Sequence, residues 1–148
     1  MKRMNIEHVA LQVPDPAAMA DWYVNHLGCS IKRSTGEPSF IRFLMDGTTG
    51  NMIHSTVPPH QTNRATVHAT VSEFWFILEG HGEIWRDDGV DGCIAQLLPG
   101  TSIDIPVGTA FQYRNVSDQE LKFICITMPP WPGDAEVTYI DGIWQPTV

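Results

Sequence analysis

Hydrophobic positions follow two different periods along the chain, and the change comes near residue 36. Before it, alternating apolar residues predict a strand over Asn5–Val13, and apolar residues at helical spacing predict a helix over Ala17–Leu27. Asp15 is a suitable N-cap, Pro16 suits the first helical position, and Gly28 ends the helix. The chain therefore opens with a βα unit, whose apolar helix face we expect to pack on a sheet.

After residue 36 the apolar segments become short, and apolar and polar residues alternate within them. This pattern predicts β-structure throughout. Turn signals such as Asp46-Gly47, Asp88-Gly89 and Pro99-Gly100 separate the segments at the spacing of an antiparallel sandwich or barrel. Three prolines between residues 128 and 133 lack backbone donors, so we expect this tail to wrap over the surface. The predicted strands are Phe40–Met45, Asn51–Val57, Thr66–Thr70, Glu73–Leu78, Gly82–Arg86, Gly92–Leu98, Ser102–Ile105, Ala110–Asn115 and Leu121–Thr127.

Composition narrows the functional classes. The chain has 148 residues, 43% of them hydrophobic and 18% charged, which fits a globular domain rather than a disordered chain or a coiled coil. A net charge of −8 without a Lys/Arg cluster argues against nucleic acid or a membrane surface as a partner. The three cysteines suggest neither a disulfide framework nor a zinc site, and with no signal-peptide pattern we expect a cytoplasmic protein.

Two motifs in the second half resemble those of the cupin superfamily. The first cupin motif is G-x5-H-x-H-x(3,4)-E-x6-G, and His68, Glu73 and Gly80 match its second histidine, its glutamate and its last glycine. The second motif is G-x5-P-x-G-x2-H-x3-N, and it is matched by Gly100, Pro106, Gly108 and Asn115. The resemblance implies a mainly β fold, a double-stranded β-barrel of the jelly-roll kind over residues 37–148, preceded by the βα extension of residues 1–36.

The resemblance also implies a place for a metal ion, but two ligands are missing. Metal-binding cupins use three histidines and one glutamate, and here Thr66 and Phe111 stand where two of the histidines would be. His68 and Glu73 remain, so a divalent ion such as Zn, Mn, Ni or Fe would bind weakly. His54 is a candidate third ligand if its side chain faces inward, and the alternative is an ordinary strand or surface histidine.

If the cupin register holds, six side chains project into the barrel and make an aromatic pocket with one imidazole and one carboxyl group. Apolar walls with a few polar groups are typical of small-molecule sites, although a packed aromatic core would have the same composition. The first functional hypothesis is an enzyme acting on a small cyclic or carbonyl-containing metabolite, with His68 and Glu73 as metal ligands or as an acid/base pair. The second is a ligand-binding or sensing module without catalysis. The six residues are Thr66, His68, Glu73, Trp75, Phe111 and Tyr113.

The segment IEHVALQVPDPAAMADWYVNHLGCSI resembles the first strand and helix of the glyoxalase or vicinal-oxygen-chelate superfamily. In that superfamily a first-strand histidine binds metal, and His8 matches it, while His54 falls where the family has a glutamate ligand. A complete chelate site needs two modules, so this third hypothesis is a metalloenzyme that uses His8 and His54 across a dimer.

The segment Glu73–Leu78 is apolar on both faces, with Trp75 and Ile77 on one side and Phe74, Phe76 and Leu78 on the other. A strand that is buried on both sides needs either a second layer or a subunit interface. We therefore expect a homodimer that binds a small molecule.

Overall fold

The computed structural model describes residues 14–28, 40–89 and 92–148. The chain divides into two compact units, Met1–Ser34 and Thr35–Val148, and each is considered by itself. The predicted strand Asn5–Val13 and the proposed ligand His8 lie outside the described residues. The domain boundary expected at residue 36 stays a prediction.

The first unit contains helix α1 (Pro16–Leu27), and its ends follow the predicted signals. Asp15 is the N-cap, and its carboxylate accepts a hydrogen bond of 3.0 Å from the backbone N–H of Ala18. Pro16 occupies the first turn, where the backbone N–H groups have no helical partner. Gly28 closes the helix with a φ of 66°, a left-handed conformation that glycine adopts at little cost.

The described residues of the second unit form ten antiparallel strands in two five-stranded sheets. The first sheet has the order β1-β2-β9-β4-β7, and the second has the order β10-β3-β8-β5-β6. The strand bounds are β1 (Phe40–Asp46), β2 (Asn51–Val57), β3 (Thr66–His68), β4 (Ser72–Glu79), β5 (Gly82–Asp87), β6 (Cys93–Leu97), β7 (Ser102–Ile105), β8 (Ala110–Asn115), β9 (Leu121–Met128) and β10 (Val137–Tyr139).

The core lies between the two sheets, and alternation within each strand decides which residues reach it. In β9 the buried residues are Leu121, Phe123, Cys125 and Thr127, while the residues between them are more exposed. Strands of both sheets contribute to one continuous apolar cluster. Its members are Val57, Trp75, Ile77, Ile84, Leu97, Ile103, Ile105, Phe111, Leu121, Phe123 and Cys125. Nine predicted strands are thus confirmed with small changes at their ends.

The segment after β9, residues 129–148, adds a strand to the second sheet. After the prolines, a single 3-10 turn (Asp134–Glu136) leads into β10, which pairs with β3 and which the sequence analysis did not predict. The buried carboxylate of Glu136 accepts hydrogen bonds from Thr70 N–H (2.6 Å), from the Thr70 hydroxyl (2.8 Å) and from Val71 N–H (2.9 Å). Further on, the side-chain amide of Gln112 bonds to both the N–H and the C=O of Trp144.

Two motif residues hold the turns between strands. Asn115 is 2% exposed, and its Nδ2 donates to the carbonyl groups of Val57, Pro58 and Gln119 at 2.7 to 3.0 Å. Gly80 has a φ of 85°, and a Cβ atom there would lie 2.7 Å from the Cα of Leu121. These contacts are a physical reason for an asparagine and a glycine at these two positions of the cupin pattern.

Within the described part of the chain, no helix has the length and apolar composition needed to span a bilayer.

We expect Asn115→Ala to lower the free energy of unfolding by about 3 kcal/mol, because it leaves three carbonyl groups without their buried donor. The matched control is Ser117→Ala, since Ser117 bonds to the Oδ1 of Asn115 but leaves the three Nδ2 bonds in place. Urea unfolding of both variants provides the measurement. Equal decreases in the free energy of unfolding of the two variants would show that the Nδ2 bonds do not contribute the expected stability.

We expect Glu136→Gln to destabilise the protein at neutral pH but not in acid. Burial raises the pKa of Glu136, but the hydrogen bonds from Thr70 and Val71 lower it by more. The pKa of Glu136 therefore lies below its ordinary value of 4.5. A lowered pKa contributes stability above that value, and the contribution is lost as the pH falls through the folded-state pKa. Unfolding of the wild type and the variant should therefore converge in acid, whereas a constant difference across the pH range would contradict this prediction. Asp141→Asn, at an exposed position, is the control.

Candidate functional site

His68 and Glu73 are brought together at one end of the two-sheet fold. His68 ends β3 in the second sheet, and Glu73 lies near the start of β4 in the first sheet. Both are buried, with 6% and 7% exposure. Nε2 of His68 is 3.4 Å from Oε1 of Glu73, which is a close electrostatic contact and slightly long for a hydrogen bond. The two cupin-motif residues therefore form a buried pair.

The second carboxylate oxygen of Glu73 has its own donor. The indole Nε1 of Trp75 donates to Oε2 of Glu73 at 2.8 Å. Burial and the charge of Glu73 together raise the pKa of the neighbouring Cys125 thiol well above its ordinary value. Burial, followed by the same charge, also raises the pKa of Tyr113. The surroundings thus keep both groups protonated around a single carboxylate.

The other nitrogen of His68 has no partner among the described residues. Nδ1 is buried and no described protein group bonds to it. In the tautomer whose Nε2–H points at the carboxylate of Glu73, Nδ1 keeps a lone pair. The hydroxyl of Thr127 is likewise buried and unbonded among the described groups, and Thr127 lies directly opposite Glu73 in the pairing of β4 with β9.

Two aromatic rings contact the imidazole of His68. The ring of Phe111 lies 5.3 Å from it, and the ring of Trp131 meets it edge-on at 5.2 Å. The backbone N–H of Trp131 donates to Oδ1 of Asn51, which fixes the start of the tail beside the site. The sequence analysis placed Phe111 here but missed Trp131, Thr127 and Cys125. The unusual tryptophan among the tail prolines was the only local signal for the first of these.

The rest of the predicted pocket is a packed aromatic cluster. Trp75 stacks on Phe123 at 4.2 Å and meets Tyr113 edge-on at 4.9 Å. Thr66 is buried opposite Phe111, and its hydroxyl donates to the carbonyl of Arg64 at 3.2 Å. Trp75 and Tyr113 are therefore part of a packed aromatic cluster next to the buried His68–Glu73 pair.

The side chains present do not fit a tightly held metal ion. Only His68 and Glu73 remain of the four cupin ligands, and one oxygen of Glu73 is already bonded to Trp75. No group of three His, Cys, Asp or Glu side chains within residues 14–28, 40–89 and 92–148 is placed to hold one. His54 does not complete the set, because it is in register with Ile124 and lies on the opposite face of the sheet from Glu73.

Comparison with known proteins agrees with the motifs. Residues 53–127 match the family described as "Cupin domain". A curated relative, the uncharacterized protein MJ1618 of Methanocaldococcus jannaschii, is 28% identical over 102 residues, which cover 66% of this chain and 78% of the relative.

Three solved structures share the fold at lower identity. A Klebsiella pneumoniae protein with a double-stranded β-helix domain is 17% identical, with a TM-score of 0.59, over 76% of this chain and 91% of that one. The cupin domain of an XRE-family transcriptional regulator from Enterobacter cloacae is 19% identical, with a TM-score of 0.53, over 64% of this chain and 100% of that one. An oxalate decarboxylase is 17% identical, with a TM-score of 0.56, over 70% of this chain but 28% of its own.

At these identities the structural likeness shows the fold alone, and the structures similar to this chain include both an enzyme and a regulatory domain. The match over residues 53–127 spans more than half of the sequence and contains the His68–Glu73 pair. The glyoxalase-like resemblance of the N-terminal segment has no counterpart in these matches and stays a prediction. The chain belongs to the cupin family.

Proposed function

We propose that this chain is a small-molecule-binding cupin that holds its ligand at His68 without a tightly bound metal ion. The observation that carries the proposal is the buried Nδ1 of His68, which no described protein group satisfies. Buried polar atoms in folded proteins nearly always have a partner, so an unbonded one beside a buried carboxylate suits a ligand. The hydroxyl of Thr127 offers a second polar contact near the same carboxylate.

The chemistry of the site selects a class of ligand. With neutral His68, Nδ1 accepts a hydrogen bond from a hydroxyl or enol group, and with protonated His68 it donates to a carbonyl or carboxylate oxygen. Phe111 and Trp131 place apolar rings against the imidazole, which favours a flat or cyclic molecule. A small cyclic or carbonyl-containing metabolite satisfies both conditions.

The same arrangement supports proton transfer, which is the enzymatic form of this proposal. Nδ1 of His68 would take a proton from the carbon next to a carbonyl group, and the imidazolium that forms would be stabilised by Glu73 at 3.4 Å. The proton then returns to the substrate, so the step needs no further reactant. Trp75 acts indirectly, because its N–H holds the carboxylate of Glu73 in place.

Two other functions stay open. In a sensing module the same contacts would bind the ligand without moving a proton, and the cupin domain of the transcriptional regulator is a fold-level parallel for that use. The vicinal-oxygen-chelate hypothesis would need His8, which lies outside the described residues, together with His54 on the far face of the sheet. The buried His68–Glu73 pair would have no part in it.

Binding at His68 can be tested with pyruvate and cyclohexanone as probes. We expect millimolar concentrations of at least one probe to shift the Nδ1 and Nε2 resonances of His68 in nitrogen-15 NMR spectra. His68→Gln should remove the interaction, while His81→Gln is the control, because His81 is exposed and bonds to Gln96. If neither probe moves the His68 resonances, or if probe binding survives His68→Gln, the proposed ligand position is wrong.

Exchange of the probes' α-protons with deuterated water separates the enzyme from the sensing module. If His68 is a general base, the wild type accelerates the exchange, and His68→Gln slows the catalysed rate by roughly 100-fold. Proton NMR of the probe follows the rate directly. Binding without accelerated exchange would favour the sensing module.

The metal dependence can be tested at Phe111, whose ring contacts His68. We expect the wild type to bind Zn²⁺, Mn²⁺ and Ni²⁺ weakly, since a phenyl ring offers no ligand atom. Phe111→His adds a third inward ligand and should tighten binding by at least about tenfold. Calorimetric titration after chelator treatment measures both proteins.

The control is His68→Ala in the Phe111→His background, which should lose the gain. Tight stoichiometric metal in the wild type that does not depend on His68 would show that the ligands lie elsewhere.

A further inference from the structure

The face of the first sheet that points away from the core is largely apolar, and we call it the outer face. On β4 it presents Phe74, Phe76 and Leu78, which are 40%, 47% and 38% exposed, and no described element of the second unit covers them. The partner residues on β9 and β2 continue the surface, with Phe74 next to Ile126 and Phe76 next to Ile124. The apolar members are Met45, Met52, Phe74, Phe76, Leu78, Ile124, Ile126 and Met128.

The outer face is centred on the middle of the sheet. β9 is the central strand of the five, with β2 on one side and β4 on the other, and the apolar residues lie mainly on these three strands. Contiguous apolar surface of several hundred Å² on a soluble protein usually marks an interface. A broad surface at the centre of a sheet suits another sheet laid face to face, as in a β-sandwich, better than a strand added at an edge.

Charged residues border this face in an arrangement that fits a second copy of it. Arg42 lies on the outer face of β1, at one edge of the sheet, and Asp104 lies on the outer face of β7, at the other edge. One end carries a polar rim in which Lys122 pairs with Glu79 at 3.0 Å and with Glu120 at 3.4 Å. On the outer face the two long edges therefore carry one charged side chain each, Arg42 and Asp104, of opposite sign.

We infer that the outer face is the interface of a homodimer with its two-fold axis parallel to the strands. Such an axis lays β9 over β9 and places β1 of each protomer over β7 of the other, so each Arg42 faces an Asp104. An axis across the strands would instead place β1 on β1 and bring like charges together. Charge complementarity thus selects one of the two symmetric arrangements.

The positions along the strands agree with this arrangement. Arg42 is level with His54, Ile124, Phe76 and Ser102 across the sheet, and Asp104 is two residues further along β7 than Ser102. Two residues of a strand correspond to roughly 7 Å. An arginine side chain is long enough to span this offset.

The axis makes a charge-swap experiment decisive. Sedimentation equilibrium of the full chain should show a dimer, and Arg42→Asp or Asp104→Arg alone should raise its dissociation constant by about tenfold through like-charge contacts. The double variant Arg42→Asp/Asp104→Arg should restore the wild-type constant, because each protomer then offers the same pair reversed. Phe76→Asp should weaken the dimer by at least about 30-fold.

Ile94→Asp is the matched control, since Ile94 is 55% exposed on β6 of the other sheet. A monomer at high protein concentration would overturn the inference. So would a dimer that Phe76→Asp leaves unchanged, because its interface would then lie elsewhere. Failure of the double variant to recover would overturn the parallel axis, since the two charges would not be facing each other.

Discussion

The buried carboxylate of Glu73 constrains the centre of the core. Glu73 lies among aromatic rings between two sheets, where an ionised group is costly unless neighbours stabilise it. Trp75 donates to one oxygen and His68 faces the other, so the positions of both rings follow from the carboxylate. The stacking of Trp75 on Phe123 then couples this polar centre to the apolar core. The site and the core therefore cannot vary independently.

The architecture could be predicted from sequence because it depends on short-range patterns. Strand alternation identifies which residues of β4 and β9 face inward, and turn residues such as Gly80 mark where the strands reverse. The motif offsets placed His68 and Glu73 on facing sheets, and the structure places them 3.4 Å apart. The helix limits were equally local, since Asp15 and Gly28 act on their own turns.

The remaining features depend on contacts between distant parts of the chain. Thr127 joins the site only because β9 pairs with β4, and Trp131 because Asn51 holds its backbone. A histidine such as His54 has the residue type of a metal ligand, yet strand register places it on the other face. β10 follows a proline-rich segment and has only three residues, so its pairing with β3 leaves almost no pattern in the sequence.

The segment after β9, residues 129–148, also affects how the chain reaches its folded state. Thr147 bonds to Thr62, which is 85 residues earlier in the chain. Strand β10 pairs with β3 and is the edge strand of the second sheet on that side. Loop closure over such separations is slow compared with the formation of hairpins. During synthesis, the side-chain amide of Gln112 stays without its two partners on Trp144 until residue 144 has left the ribosome. The second sheet is thus completed late, and its β3 edge is exposed to other strands until then.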